Sequence, residues 1–578
     1  MHHRILLVLA SIIAVGVLLF TQEDIDNPSD RLKNGLSAYL PPECLEDARL
    51  RRSITLDVSA LPISEVLDKL QDHSGVAFSV AREVGSLRVC VHVQQMPLLE
   101  LMASLAGVLD LTWRPVEKGE KGYELYQTAQ QRARLLGQAQ RRTQESAKAI
   151  LDAMLEAGYQ IASGEVLPAI PQQKEGGVDA VSALAQALKR EPVILGTLST
   201  LPPQRLIQLF QGEPQRILGS QLPPEVRQML AGRLPSNAEG EQPPVWVEIR
   251  PDAITRSMMF SVRCGNAEWG TGIPSLFETE EYLREFERAT DLLDEKTGQR
   301  AVRAEKPLSL PRAIALLAQV TKLNIVAEYY PLTMYDRVVL GGDARAILKQ
   351  LCAPRLYSAQ RVGNTLWLSA SYRAEHRQID IPDPTLKRWF TSKDEFGITT
   401  EIALEIARLS YAQQRALGLW SSQQQTLDGV SPAKREVYLQ LQNLTGRSVT
   451  SVLMRLLASL PSPLRTRVLN GSSLPLRDLP LSDNTILLEF ASYLPPEMQV
   501  LLFDMDTPCW LEIRRSVDML WATEEKDTVQ RSSSPPRQSP QKPQTSYRLR
   551  VERVEVYLRT PSGSSRLSEW EWYRFKRP

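Results

Sequence analysis

The segment SITLDVSALPISEVLDKLQDHSGVAF, residues 53–78, decides the fold of the first compact part of the chain. Apolar residues occupy every second position of SITLDV, which is the period of a strand with one buried face. Pro62 then suits a first helical turn, and Gly75 can end the helix that follows. The apolar face of this helix is formed by Ile63, Val66, Leu67 and Leu70.

The sequence up to Thr128 continues the same alternation of short elements. VAFSV and LRVCVHV predict two strands, and a second apolar helix begins near Pro97. LTWRPV and YELYQ predict a hairpin around the turn residues KGEKG. The predicted order is therefore β-α-β-β-α-β-β.

This order, with the phrases ALPISEVLDKLQDHSGVAF and MPLLELMASLAGVLDLTW, resembles the secretin and TonB short N-terminal (STN) domain. The resemblance covers Ser53 to about Thr128. Domains of that family lie in the periplasm and dock other proteins, namely inner-membrane partners of secretins or signalling regulators of TonB-dependent receptors. The resemblance therefore implies a small α+β module that binds proteins in the cell envelope.

The same pattern returns after Glu305. PLSLPRAIALLAQVTKLNIVAEYY predicts a helix begun by Pro311 and then a strand. RVVL predicts a further strand, Asp343 is placed to cap the helix DARAILKQLC, and Gly363-Asn364 is a hairpin turn signal. The apolar face of the first of these helices comprises Leu310, Ile314, Leu317 and Val320.

A second pair of similar segments follows each of these modules. PVWVEIR at 244–250 and PCWLEIR at 508–514 agree at five of seven positions. Their alternation predicts a strand with Val247 and Ile249 on the inner face and Trp, Glu and Arg on the outer face, where Glu and Arg can pair across strands. Leu201-Pro202 and Gly212 likewise match Leu460-Pro461 and Gly471.

Matches that recur in the same order indicate a unit of about 250 residues that is present twice. The predicted fold is α+β and multidomain, with each unit holding an STN-like βαββαββ domain followed by a helical and strand-rich part. The predicted divisions are a signal-anchor or signal peptide 1–22, a tether 23–52, STN-like domain 53–128, a helical and strand-rich part 129–275, a charged bridging helix 276–299, STN-like domain 300–372, and a second helical and strand-rich part 373–578 with a disordered loop 531–546.

The N-terminal residues predict the subcellular location of the protein. MHHR precedes residues 5–20, a sixteen-residue run without a charged residue. A helix of that length spans about 24 Å against a bilayer core of about 30 Å. We expect an uncleaved anchor in the inner membrane with the bulk of the chain in the periplasm. A signal peptide cleaved near Ala14-Val15-Gly16 and a buried core helix remain the alternatives.

Charge and cysteine content exclude little. Lys+Arg 68 and Asp+Glu 67 give a net charge of +1, which provides no general attraction to nucleic acid. Residues 277–295 are acidic and residues 531–578 are basic, as solvated faces commonly are. The five cysteines are far apart in sequence and form no CxxC, so no zinc or thioredoxin-type motif is predicted. The sequence is compatible with one or two disulfide bonds among them.

Three short segments contain side chains that could take part in catalysis or in ligand binding. RVCVHV places Arg88, Cys90 and His92 on one strand face, and DMD places Asp504 and Asp506 two positions apart. WEWYRF, near the C-terminus, combines aromatic and basic residues. Each is better explained as strand packing or a solvated loop, so no catalytic, cofactor-binding or metal-binding residue is predicted, and no cofactor.

The predicted function is that of a non-enzymatic scaffold or adaptor of the cell envelope that binds other proteins through its STN-like domains. The predicted partners are envelope proteins, with secretin or TonB-type system components as candidates, and the inner membrane through residues 5–20, but no nucleic acid. The alternatives are a component of a secretin-linked secretion or pilus-type assembly, and an envelope hydrolase or glycan-binding enzyme. The oligomeric state is left open.

Overall fold

The computed structural model describes residues 39–116, 122–163, 192–231, 245–251, 258–273, 288–475, 508–532 and 546–576, with short gaps inside several ranges, and three positions between 486 and 490. The chain divides into two compact units. Unit 1 contains the described residues before 211 and those between 288 and 380. Unit 2 contains those of 212–251 and 259–272 and those from 381 onward. The fold is α+β, as predicted.

The described end of the predicted tether is part of the core of unit 1, so the tether prediction is wrong for residues 39–52. Helix α1 (Pro42–Glu46) and a 3₁₀ turn (Ala48–Arg51) bury Cys44 and Leu50 completely. The hydroxyl of Tyr123 donates to Asp47 at 2.9 Å, which attaches the segment to the first module. Although the segment is mostly polar, which indicated a tether, burial of Cys44 and Leu50 in the core holds it against the first module.

The first module has the predicted order of elements. The buried and exposed residues of β1 alternate as expected, and Gly75 ends α2 in the left-handed conformation, with φ of 69°. The predicted apolar faces of both helices are buried. The elements are β1 (Ser53–Pro62), α2 (Ile63–Ser74), β2 (Ala77–Val80), β3 (Arg88–Pro97), α3 (Leu98–Leu109), β4 (Thr112–Val116) and β5 (Gly122–Tyr126).

A connecting segment of helices and one sheet separates the two modules along the chain. The sequence spacing of Ala147, Ile150, Leu151, Met154 and Ala157 predicts an amphipathic helix. The backbone of α4 is helical over all five positions, and their side chains lie outside the described part. The elements are α4 (Ala129–Ser163), α5 (Pro192–Leu198), α6 (Pro203–Phe210), β6 (Gln215–Leu218), α7 (Pro224–Ala231), β7 (Val245–Pro251), β8 (Met258–Cys264) and β9 (Ala267–Ile273).

The second module follows a short helix, α8 (Glu295–Gly298). Asp343 caps its helix by accepting from the backbone N–H of Ala346 at 2.7 Å, and Gly363 makes the hairpin turn with φ of 59°. Both features were predicted. The elements are β10 (Ala301–Val302), β11 (Leu308–Ser309), α9 (Leu310–Thr321), β12 (Asn324–Tyr329), α10 (Pro331–Met334), β13 (Val338–Val339), β14 (Gly342–Asp343), α11 (Ala344–Leu351), β15 (Tyr357–Val362), β16 (Thr365–Ala370) and α12 (Arg373–Ile379).

The two modules have the same strand pairings. In the first, β1 pairs antiparallel with β3, β2 pairs parallel with β5, and β5 pairs antiparallel with β4. In the second, β11 pairs antiparallel with β13, β12 pairs parallel with β16, and β16 pairs antiparallel with β15.

One five-stranded sheet combines two strands of the first module with three of the second, whereas β2, β5 and β4 of the first module form a sheet of their own. Strand β3 pairs antiparallel with β12 from Ile325↔His92 to Tyr329↔Arg88, which gives the order β1-β3-β12-β16-β15. Apolar residues of both modules form a single hydrophobic cluster around this sheet. The modules are therefore two halves of one compact unit rather than separate domains on a string.

Helix α3 of the first module packs closely on strand β16 of the second. The indole N–H of Trp367 donates to the hydroxyl of Ser104 at 3.1 Å. A Cβ atom on Gly107 would overlap the ring of Trp367. Glycine is therefore required at this position of the helix by the close approach of the indole.

Unit 2 begins with a group of helices. The spacing of Ile402, Ile406, Leu409 and Leu417 in the sequence predicts one amphipathic helix. This prediction is wrong, because the chain turns at Leu409 and Ser410 caps a new helix by accepting from the N–H of Gln413. The elements are α13 (Asp383–Trp389), β17 (Glu395–Phe396), α14 (Thr400–Ala407), α15 (Tyr411–Gln425), α16 (Pro432–Thr445), α17 (Val449–Ser459) and α18 (Ser462–Leu469).

Two sheets complete unit 2. Each contains one of the two strands that PVWVEIR (244–250) and PCWLEIR (508–514) predicted, which are called the WxEIR strands below. The last strands are β18 (Leu474–Pro475), β19 (Trp510–Glu525), β20 (Thr528–Ser532), β21 (Ser546–Thr560) and β22 (Gly563–Lys576). The sheet orders are β6-β7-β8-β9 and β17-β22-β21-β19-β18. Trp246 pairs with Leu218 and Trp510 with Pro475, so the two tryptophans hold equivalent positions against a short preceding strand.

The two WxEIR strands differ in the burial of their outer faces. The inner residues are buried in both strands, as predicted: Val247, Ile249, Leu511 and Ile513. Trp246 and Glu248 are also buried, whereas the side chain of Arg514 is about half exposed. The outer face of the first strand is therefore more deeply buried at Trp246 and Glu248 than that of the second strand is at Arg514.

Other predictions about the later part of the chain are partly corrected. In YRLRVERVEVYLR the alternation of apolar residues shifts between Val551 and Val554, which predicts a bulge there. This prediction is wrong, because β21 pairs regularly at those residues and its irregularity lies at Val556/Tyr557. Arg531 and Ser532 belong to β20 and Ser546 to β21, so the predicted loop is shorter at both ends. The charged bridging helix is interrupted by a turn that precedes α8, and most of it lies outside the described residues.

We predict that Gly107→Ala destabilises unit 1, because the added methyl group overlaps Trp367. Overpacking of this kind costs about 1–3 kcal/mol, which exceeds the helix-propensity gain of about 1 kcal/mol. Gly137→Ala on α4, where nothing lies within 4 Å, is the matched control and should stabilise slightly. Urea unfolding of both variants measures the difference, and equal midpoints for the two would contradict the close packing.

Candidate functional site

The strand β3 carries the three side chains of RVCVHV that the sequence singled out. Arg88 donates from Nη1 to the carbonyl oxygen of Ala60 at 2.8 Å. The thiol of Cys90 is buried and accepts weakly from the N–H of Ala60 at 3.3 Å. Burial raises the pKa of Cys90 to about 12, so the thiol stays protonated at neutral pH. A reactive thiolate or a thiolate metal ligand at Cys90 is therefore not supported.

His92, the third residue, lies between an acid and a hydroxyl of the neighbouring strand β1. Its Nδ1 is 2.6 Å from Oδ1 of Asp57, which is its partner in the strand register. Its Nε2 is 3.5 Å from Oγ of Ser59. The imidazole is 6% exposed, whereas the Asp57 side chain is 85% exposed and Ser59 is exposed. The three side chains are therefore ordered Asp–His–Ser across a sheet edge.

The hydrogen-bond partners assign the tautomer of His92. A carboxylate only accepts, so Nδ1 donates to Asp57 and the neutral ring has its lone pair on Nε2, facing Ser59. Burial lowers the pKa of His92, and the hydrogen bond and charge of Asp57 oppose this shift only in part. The neutral ring can act as a proton acceptor toward the Ser59 hydroxyl at neutral pH.

The backbone beside Ser59 is irregular. The register of β1 against β3 shifts between Val58 and Leu61, which marks a bulge. Ala60 has φ of 56°, a left-handed conformation that non-glycine residues rarely adopt. Bulges and strained residues of this kind are concentrated near functional sites, where they orient a side chain.

A second polar cluster in unit 1 is buried and joins the modules. The carboxylate of Glu328 accepts from Arg373 Nε, from the N–H of Ala370 and from the Tyr330 hydroxyl. Arg373 and Arg377, four positions apart on α12, also reach the first module. Arg373 donates to the carbonyl of Val108, and Arg377 donates to that of Leu109 at 2.7 Å. These carbonyls lie at the C-terminal end of α3, where the helix leaves acceptors without partners of its own.

A comparable cluster lies in unit 2. Arg216 on β6 donates from Nη2 to Glu248 on β7 and to Glu489, in both cases at 2.7 Å. Arg455 on α17 also donates to Glu489. Arg216 and Glu248 are partners in the strand register, so the predicted pairing of Glu across strands is confirmed for the first WxEIR strand. Both carboxylates are compensated by arginines, as buried charges require.

The remaining predicted features lie outside these clusters. Asp504 and Asp506 and the side chains of WEWYRF fall outside the described residues. In the described part of the chain, no group of three or more His, Cys, Asp or Glu side chains could hold a metal ion. Four cysteines of that part are buried and form no disulfide: Cys44, Cys90, Cys352 and Cys509.

Comparisons with known proteins leave the family open. No family model, curated protein or solved structure matches the chain. Within the described residues, no helix combines the length and apolar composition needed to cross a membrane, and residues 5–20 are not among them.

The sequence brought His92 into consideration but not its partners. Asp57 and Ser59 occupy alternate positions of β1, which indicates only that they share a strand face. Their proximity to His92 depends on the register between β1 and β3, which no local pattern encodes. The available signal was an Asp and a Ser two positions apart on one predicted strand, together with a His on another predicted strand of the same module.

We predict that His92 makes unit 1 less stable in mild acid. Since burial lowers its pKa below the usual value near 6.5, the unfolded chain binds the proton more readily than the folded one. Stability therefore rises with pH up to about 6.5 and is lost below it, with a slope of at most about 1.4 kcal/mol per pH unit. Urea unfolding from pH 5 to 8 should show a smaller slope for His92→Asn, and parallel curves would contradict this assignment.

Proposed function

We propose that the chain is a duplicated adaptor of the cell envelope that binds a partner protein along the free edge of β1. The observation that carries this proposal is the position of β1 at the outside of the five-stranded sheet, with no described strand on its outer side. An open edge of this kind presents backbone donors and acceptors to an added strand.

The duplication is supported by the repeated strand pairings of the two modules and by the parts that follow them. Helices α6 and α18 both follow a Leu-Pro pair and have eight residues. Each is followed by a glycine with positive φ, Gly212 at 99° and Gly471 at 89°. The next strands then run in the orders β6-β7-β8-β9 and β18-β19-β21-β22, with equivalent tryptophan positions.

The duplication gives the adaptor an internal example of the binding mode. Strand β12 of the second module already lies along the inner edge of β3 through five paired residues. The outer strand β1 has one buried face, and its first seven residues, SITLDVS, contain neither Lys nor Pro. Edge strands that must stay unpaired commonly carry such residues. The bulge at Val58/Leu61 and Pro62 come at the end of the strand and leave the stretch around Thr55 and Asp57 as the part available for pairing. An extended segment of a partner protein is therefore the occupant that this edge fits.

We predict that a photo-crosslinking amino acid at Thr55, exposed on β1, captures a partner in native envelope preparations of the full chain. The same amino acid at Asp68, exposed on α2, should not capture it. Asp57→Lys places a long cation at the edge and should reduce the adduct at least about tenfold, since one unfavourable pairing of about 1.4 kcal/mol has that effect.

Asp68→Lys is the matched control, because it makes the same charge change on an exposed helix position. An adduct from Thr55 that survives Asp57→Lys unchanged, or no adduct at all, would contradict binding at β1. Recovery of an outer-membrane secretin as the captured protein would favour membership in a secretin-linked assembly.

The proposed location is the periplasm, with the chain anchored in the inner membrane through residues 5–20. The support is the uncharged run behind a basic head, which favours retention of the head in the cytoplasm. We predict that deletion of residues 2–20 leaves the chain in the cytoplasmic fraction. Unchanged recovery with the envelope after that deletion would contradict the anchor, and recovery of a shortened soluble periplasmic form of the full chain would favour signal cleavage.

A further inference from the structure

We propose that Ser59 is a nucleophile that His92 activates and Asp57 orients, and that it accepts the acyl group of a carboxylic ester. The proposal goes beyond the adaptor function and does not depend on it. It is based on the atom-by-atom arrangement at the edge of β1, where Oδ1 of Asp57, Nδ1 and Nε2 of His92 and Oγ of Ser59 follow one another at 2.6 and 3.5 Å.

The geometry meets the separate needs of acyl transfer. The nucleophile Ser59 is exposed, so an ester can reach it, while His92 is buried and held in one orientation by Asp57. Oγ and Nε2 are farther apart than in a formed hydrogen bond, and such bonds commonly shorten when substrate binds. Arg88 donates to the carbonyl of Ala60, the residue next to Ser59, so a cation lies close to the proposed nucleophile. A nearby cation favours the negative charge that develops on the acyl oxygen during attack.

The reaction proceeds in two balanced steps. Oγ of Ser59 forms a bond to the acyl carbon, and the bond from that carbon to the alcohol oxygen breaks. The Ser59 proton passes to Nε2 of His92 and then to the departing alcohol. A water molecule attacks the acyl-serine by the same proton path, which releases the carboxylic acid and restores the serine.

The surroundings of His92 leave Asp57 as the charged group that faces it. Helix α9 packs against β1, β3 and β12, and Arg312, its one ionisable residue, is exposed. On β12, Ile325 pairs with His92, and the carboxylate of Glu328 accepts from Arg373, Ala370 and Tyr330. Glu100 is the one ionisable residue of α3, which also packs against β3. On β3 itself the neighbouring polar side chains are Arg88, bonded to Ala60, and the neutral thiol of Cys90. The pH at which the site loses activity should therefore report His92 and respond to Asp57.

The test is acylation of the full chain by p-nitrophenyl acetate and by a fluorophosphonate, with the modified residue located by peptide mass spectrometry. Modification is expected at Ser59, and Ser59→Ala should abolish it. Ser53→Ala, an exposed serine on the same strand, is the matched control and should retain it. His92→Asn should slow the reaction by about 100-fold or more, which is the usual contribution of a general base.

Asp57→Asn separates positioning from structure. It should lower the maximal rate and move the midpoint of the pH–rate profile to lower pH, because Asp57 raises the pKa of His92. The Asn substitution should leave partner capture from Thr55 intact, so the two proposals can fail separately. Equal labelling of wild type and Ser59→Ala, or an unchanged rate in a folded His92→Asn variant with wild-type circular dichroism, would overturn the proposal.

Discussion

The pairing of β3 with β12 is the constraint on which unit 1 depends. It joins strands from opposite halves of the chain, so that β1 and β3 of the first module share a sheet with β12, β16 and β15 of the second. Because a sheet buries apolar side chains on its faces, the shared backbone ladder also produces the shared core. Gly107 then has to be glycine, since the second module places Trp367 against the helix of the first. One edge contact thus determines several side-chain requirements that are distant in sequence.

Buried charges fix the way in which the modules meet. Glu328 holds Arg373 and Arg377 so that both reach carbonyls at the end of α3. An apolar contact would tolerate sliding, whereas these donors have acceptors at defined positions. Buried ion clusters add little net stability, but an arrangement that separates them leaves uncompensated charge. The cluster therefore disfavours other pairings of the modules more than it stabilises the observed one.

Local patterns predicted the elements, but not their association. Alternation in SITLDV, the capping of a helix by Asp343 and the Gly363 turn depend on neighbouring residues, and all three are present as predicted. The joining of β3 to β12 depends on which edges meet after folding, and no short segment specifies it. The candidate site was missed for the same reason, because the register of two strands brings Asp57 to His92. The tether prediction failed for residues 39–52 because the few apolar residues of this segment are buried in the core of unit 1.

The edge strand β1 combines rigid support on one side with exposure to solvent on the other. Its inner face belongs to the rigid sheet, so His92 is held by packing and by Asp57. The outer backbone edge of β1 has no described partner strand, and the side chain of Ser59 on this strand is exposed to solvent. Precise positioning needs rigid support, and contact with another molecule needs exposure. An edge strand next to a covered strand provides both, whereas the interior strands β12 and β16 of the same sheet provide only the first.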